Sequence, residues 1–214
     1  MSDEIIEVFD ENLNKIGTMP RNEAHESGAW HRTFHCWIVS SIDGGKVLFQ
    51  KRGRHKKMFP DYLDITAAGH YIAGEHPQEG VREILEELGI KVQFSELIPL
   101  GIKFDVAKVG KIINREFCDV FLLRRDRRPR DYMPNPEEVE GLVEMDLMDG
   151  LGLFMGHIKE VCVKGIEWDM EMKKWNDVNM PVGVRAIIPR IDPYYLKVFI
   201  MARSLLRGER YLSI

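Results

Sequence analysis

Residues 69–90 read GHYIAGEHPQEGVREILEELGI. Pro77 stands where a first helical turn tolerates a residue without an N–H, and Gly89 is a natural stop, so a helix is predicted over 77–88. On a 3.6-residue wheel Val81, Ile84, Leu85 and Leu88 share one face and suit packing on a sheet. Glu83, Glu86 and Glu87 fall on the opposite face, at i, i+3 and i+4. Like charges at those spacings each cost roughly 0.2–0.5 kcal/mol, and carboxylates near a helix C-terminus also oppose the macrodipole. Carboxylates so arranged suit a hard divalent cation with oxygen ligands, Mg²⁺ or Mn²⁺. The plain alternative is a solvated acidic face, the usual fate of a charge run.

On either side the chain alternates through short apolar segments. Strands are predicted at 4–10 with a return at 15–18, and at 35–41 and 46–51, where Asp43-Gly44-Gly45 marks a hairpin. Further strands are expected at 61–66, 97–106 and 111–123, the last ending in the wholly apolar Val120-Phe121-Leu122-Leu123 of a buried strand. A final strand over 138–145 precedes a short helix at 147–154. The stretch 192–206 carries Tyr195, Val198, Phe199, Ala202 and Leu206 on one helical stripe. Neither an internal repeat nor a low-complexity segment is present. Strands with only two or three helices among them predict a mixed α/β (α+β) domain.

Composition narrows the class. The 214 residues make room for one substantial domain, and 44% hydrophobic with 9% aromatic content excludes wholesale disorder. No apolar run approaches the roughly 20 residues of a membrane span. Met1-Ser2-Asp3-Glu4 shows no signal peptide, and a cytoplasmic location is expected. Cys36, Cys118 and Cys162 are too scattered for a disulfide framework or a zinc knuckle. A net charge of −4 argues against a nucleic-acid binder. The cluster Arg124, Arg125, Arg127, Arg128 and Arg130 lacks interleaved aromatics and reads as an exposed loop near a site rim.

The stretch Gly, five residues, Glu75, six residues, then Arg-Glu-Ile-Leu-Glu-Glu-Leu-Gly-Ile resembles the Nudix box, the signature of hydrolases that cleave diphosphates linked to another moiety. The family's spacer before Arg-Glu is normally seven residues; the shortening here bears on the role of Glu75. The resemblance implies a Nudix fold, a mixed β-sheet sandwiched between α-helices. It implies one domain over 1–214, with a core at about 1–155 and a helical extension at 156–214, as a monomer or homodimer. It also implies Mg²⁺ or Mn²⁺ held by Glu83, Glu86 and Glu87, and a small organic diphosphate as partner.

Over about residues 5–147 the chain is most similar to the branch that contains type I isopentenyl-diphosphate isomerase and its hydrolase relatives. The matching pieces are Ala29-Trp30-His31-Arg32, Lys51-Arg52 with Lys56-Lys57, Ala68-Gly69-His70 and Asn114-Arg115-Glu116-Phe117. By that resemblance His31, His70 and Glu116 are metal ligands, Glu116 is also a proton-transfer group, and Arg52 and Lys56 hold the diphosphate. His25 matches the branch's first histidine one residue too close to His31, and by its polar loop it reads as a surface residue. Asn114 replaces an acidic ligand. Ala68 replaces the isomerase cysteine, and Cys118 is the thiol that approaches the site only in space. Arg82 reads as a structural ion-pair partner, and His35 and His55 receive no role. Water would attack at phosphorus with Glu83 or the Glu137-Glu138 pair as base. Isomerisation of isopentenyl diphosphate and a non-catalytic nucleotide- or metabolite-binding module are the alternatives.

Overall fold

The computed structural model describes residues 4–56, 58–110 and 112–214. Lys57 and Lys111 therefore lie outside the described residues. The strands are β1 Ile5–Phe9, β2 Lys15–Pro20, β3 Trp30–Ser40, β4 Lys46–Arg52, β5 Leu63–Asp64, β6 Ala67–His70, β7 Ile98–Val109, β8 Ile112–Arg124, β9 Val139–Asp146, β10 Val161–Asp169 and β11 Lys174–Val182. The α-helices are α1 Arg21–Ser27, α2 Val81–Leu88, α3 Leu147–Phe154 and α4 Tyr194–Leu206.

β3 organises the sheet. Along one edge it pairs in parallel with β8, His31 to Val39 against Glu116 to Arg124. The other edge is shared by β1, β6 and β4 in turn, all antiparallel. From β4 the sheet continues through β9 and β10 to β11.

The two-residue alternation of β3 sorts its side chains onto two cores. Phe34, Cys36 and Ile38 pack with Ile84 and Leu88 of α2. Trp37 and Val39 pack on the opposite face with Tyr194, Val198 and Phe199 of α4 and with Leu151 of α3. The sheet is thus held between helices, as the resemblance implied. Ile84 and Leu88 are fully buried, and truncating either to alanine should cost about 2–5 kcal/mol. Leu85, expected on that same face, is 42% exposed, so the apolar stripe of α2 is narrower than the wheel drew it.

Three differences from the sequence reading stand out. The helix expected over 77–88 begins as a 3₁₀ turn at Pro77–Gly80 and turns α-helical only at Val81. The expected strand at 61–66 is the short β5 followed by β6, which the reading lacked. The region after 156 is not simply helical, because the hairpin β10–β11 extends the main sheet through β9 before α4 begins. No helix among the described residues is long and apolar enough to cross a membrane. The arginines of the 124–130 loop are largely matched with acids: Arg125 with Glu96, Arg128 with Glu144 at 2.7 Å, and Arg130 with Asp177 at 2.5 Å.

Candidate active site

The site is assembled where β6 leaves β3 and α2 passes behind it. Gly69 lets the Glu83 carboxylate sit directly against the backbone, where a Cβ would displace it. Arg82 ties the turn before α2 together. Its Nε donates to Glu75 Oε1 at 2.9 Å, one Nη to the His70 carbonyl at 2.8 Å, and the other pairs with Glu83 at 2.7 Å and Glu86 at 3.3 Å. Glu75 also accepts from the Ile72 N–H at 2.7 Å. Pro77–Gly80 forms a 3₁₀ turn, which rises about 2.0 Å per residue against 1.5 Å for an α-helix.

The three helix carboxylates meet different surroundings. Glu87 is buried, and its Oε2 accepts from Gln50 Nε2 at 3.3 Å and the Ala68 N–H at 3.1 Å. Burial, reinforced by the Glu83 charge, pushes the Glu87 carboxyl well above the usual carboxylate range. Burial likewise raises Glu83 to about 7 despite Arg82. Glu86 has a half-exposed side chain and contacts Arg82.

A cavity of about 190 Å³ opens in front of Glu87. Glu87, Glu116, His70, Arg52 and Lys56 all line it, as do His25 and Asn114. Glu83 and Glu86 are not among its lining residues, and neither are Glu137 and Glu138. Glu138 instead holds Lys56 at 2.7 Å. Arg52 pairs with Asp64 at 2.9 Å.

Beside the cavity lies a cluster of imidazoles and a carboxylate. Register brings its strand residues together: His31 of β3 stands opposite Glu116, and Thr33 opposite both His70 and Cys118, so these side chains share one sheet face. His31 Nδ1 donates to the Ala29 carbonyl at 2.9 Å, which turns Nε2 towards the cluster. That Nε2 is buried with no hydrogen-bond partner among the described residues, 3.7 Å from Glu116 Oε1, and His70 Nε2 lies 3.8 Å from the same oxygen. His25, delivered by the last turn of α1, places its Nε2 at 3.2 Å from His70 Nε2. Burial lowers His25 to about 4 and His70 well below its ordinary value, so both rings are neutral and offer lone pairs. Burial works to raise Glu116, but the adjoining His31 and His70 rings outweigh it and hold the carboxyl well below its usual range. Asn114 Oδ1 is buried with no hydrogen-bond partner among the described residues.

Nitrogen donors of His25, His31 and His70 all lie within 4.8 Å of one another. Ligands about 2.0–2.2 Å from one ion stand about 3–4 Å apart, so three nitrogens within 4.8 Å need only close slightly, and imidazole donors suit a transition metal such as Mn²⁺ better than Mg²⁺. Sequence reasoning set His25 aside because α1, only seven residues long, leaves no amphipathic signature. Gln50, which orients Glu87, was missed altogether.

A family model described as the NUDIX domain matches residues 29–158 of this chain. The chain belongs to the Nudix family. An uncharacterized Nudix hydrolase of Clostridium acetobutylicum is 38% identical over 82% of this chain and 85% of its own length. An isopentenyl-diphosphate Delta-isomerase of Photorhabdus laumondii is 28% identical over 82% of this chain and 94% of its own. Among solved structures, the Deinococcus radiodurans protein DR0079 superposes with a TM-score of 0.54 at 21% identity, covering 72% of this chain and 90% of that one. This Nudix chain is accordingly a hydrolase of the class that acts on diphosphate-containing substrates.

Proposed function

We propose that this Nudix chain is a divalent-metal-dependent diphosphohydrolase of a small nucleoside, sugar or prenyl diphosphate, using Mg²⁺ or Mn²⁺. The observation that carries the reading is Glu87. It is a buried carboxylate that forms no salt bridge among the described residues, on the wall of a cavity that also presents Arg52 and Lys56. Glu83, Glu86 and Glu87 would hold one cation; His31, His70 and Glu116, with His25 and Asn114, would hold another. A bound divalent ion supplies charge neutralisation at phosphate oxygens and acidifies water.

The chain's own groups do the remaining work. Arg52 and Lys56 engage the phosphates, arginine with two parallel donors. Gln50 and the Ala68 N–H fix the orientation of Glu87. Glu87 and Glu116 are the cavity carboxylates available to accept the proton of the attacking water. Glu83, packed on Gly69, would serve the cation rather than the water, and Glu138, paired to Lys56, positions that lysine. The products are a monophosphate and a second phosphate-bearing fragment. A phosphate-release screen over nucleoside, sugar and prenyl diphosphates with added Mg²⁺ or Mn²⁺ tests the reading; silence across all three classes overturns it.

Isomerisation is the second reading, favoured by the His31–His70–Glu116 cluster. Ala68 opposes it, because a methyl group transfers no proton.

A further inference from the structure

The cavity has one wall that lies outside the family match. Ile187 bridges to Leu63, the Ile188 N–H donates to the Leu63 carbonyl at 3.1 Å, and the Tyr195 hydroxyl donates to the Ile188 carbonyl at 2.8 Å. This pinned segment delivers Arg190 to the cavity beside Arg52. The two guanidinium groups share one carboxylate. Asp64 Oδ1 accepts from Arg190 Nη2 at 3.1 Å, and Oδ2 accepts from Arg52 Nη1 at 2.9 Å. Asp105 holds the other Nη of Arg190 and also accepts from Lys103 Nζ at 2.8 Å.

A tether that served only to dock the C-terminal segment would be satisfied by these Nη bonds. Both arginines, however, line the cavity, and neither Nε has a hydrogen-bond partner among the described residues. A buried, unsatisfied donor costs about 1–3 kcal/mol, more when charged, and such groups mark places where something else completes the bonding. The Arg190 side chain is only 11% exposed, so bulk water is a poor partner for that N–H. Two preorganised forks on one side of a small cavity match the many oxygens of a diphosphate better than one.

We infer that Arg190 is a second substrate-binding arginine, which joins Arg52 in donating to the diphosphate oxygens while Asp64 and Asp105 hold both guanidinium groups in place. The inference rests on the diphosphate reading of this same cavity.

The test separates binding from turnover by using methylenediphosphonate, whose P–C–P link cannot be hydrolysed. Isothermal titration of the full chain with this probe and Mg²⁺ compares wild type with Arg190→Met and Arg190→Lys, and with Asp192→Asn as a control. Asp192 joins the same ion network through Lys103, at 3.3 Å, without lining the cavity. Arg190→Met should weaken the probe about tenfold or more, Arg190→Lys should recover part of that loss, and Asp192→Asn should leave affinity unchanged. On a hydrolysed substrate, KM should rise more than kcat falls.

Wild-type affinity in folded Arg190→Met, or an equal loss in Asp192→Asn, overturns the inference, as does a wild type that fails to bind the probe. If Arg190→Met does not fold, Arg190→Lys decides alone: an affinity below wild type supports the inference and parity overturns it. Probe binding that depends on Arg190 in a chain that hydrolyses no diphosphate would sink the hydrolase reading while leaving the arginine assignment standing.

Discussion

Arg82 and Glu75 meet across a turn one residue shorter than the family's usual spacer, Nε to Oε1 at 2.9 Å. That bond makes Glu75 the brace of the glutamate helix. Arg82 also holds Glu83, Glu86 and the His70 carbonyl, so its loss leaves several partly buried acceptors unpaired. Arg82→Met should therefore destabilise the fold by about 2–4 kcal/mol, and Glu75→Gln by less, because the amide still accepts one bond. Urea unfolding of the two variants checks the order. Equal stability of Arg82→Met and wild type would remove the brace.

Glu87→Gln separates charge from shape. Burial disfavours the charged form of Glu87, so without metal the amide should cost little stability or even raise it. With metal the balance reverses. Wild type should gain melting temperature from Mg²⁺, because the unfolded chain cannot gather these ligands, and Glu87→Gln should lose most of that gain. Turnover should drop by orders of magnitude. Melting curves with and without Mg²⁺, alongside phosphate release, read both effects; full activity of the variant in excess chelator ends the metal-hydrolase reading.

The imidazole cluster should bind metal independently of the helix. His31→Ala and His70→Ala should weaken Mn²⁺ or Co²⁺ affinity at least tenfold, while Glu86→Gln should not. His25→Ala should resemble the other two histidine variants, since its Nε2 lies 3.2 Å from that of His70. Metal content after dialysis, measured by atomic emission, decides the point. Retention of a full complement by His31→Ala would break the assignment.

Asp146 gives a pH-dependent contribution away from the site. It caps α3 by accepting from the Met148 and Asp149 N–H groups, and it pairs with Lys46 at 3.0 Å. Burial works to raise its carboxyl, but these bonds outweigh burial and hold it below its ordinary value of 3.8. The folded chain thus binds this proton more weakly than the unfolded chain. Its stabilisation is complete above about pH 4 and fades as pH falls through the lowered folded value. Asp146→Ala should cost about 1 kcal/mol at pH 7, and the gap to wild type should close towards pH 2. Urea unfolding at both pH values measures it, and a gap independent of pH would contradict it.

How far the sequence could be read follows the range of its signals. The box over 69–90, the apolar end of β8 and the stripe of α4 are local patterns, and Tyr195, Val198, Phe199 and Ala202 are buried as that stripe implied. The hairpin β10–β11 escaped because Gly165 interrupts the alternation of Val161, Val163 and Ile166. In the fold that glycine is a close approach, since a Cβ there would run into the Leu142 carbonyl. Arg190 escaped for a different reason: its partner Asp64 is 126 residues away, and no local periodicity encodes such a meeting. The histidines were visible as residue types, but only the pairing of β3 with β6 and β8 brings them together.

The last prediction separates hydrolysis from isomerisation. Moving a proton off one carbon of isopentenyl diphosphate and onto another needs an acid and a base on opposite sides of the allyl unit. In the isomerases one is a cysteine directly before the Gly-His pair, and Ala68 occupies that position here. The thiol nearest in space is Cys118, whose Sγ lies 3.7 Å from Glu116 Oε2. It is fully buried, does not line the cavity, and burial pushes it far up towards the protonated form. A thiol beside Glu116 stands on the same side as that carboxylate, so it does not replace the missing partner. Losing one of two proton-transfer groups forfeits about 10²–10⁴-fold in rate. Purified chain given isopentenyl diphosphate and Mg²⁺ or Mn²⁺ should therefore form no dimethylallyl isomer, while some organic diphosphate releases phosphate. Ala68→Cys should be the variant that gains measurable isomer. Robust conversion by wild type, followed by chromatography of the dephosphorylated alcohols, would mean that another group supplies the second proton and that the cavity is an isomerase site after all.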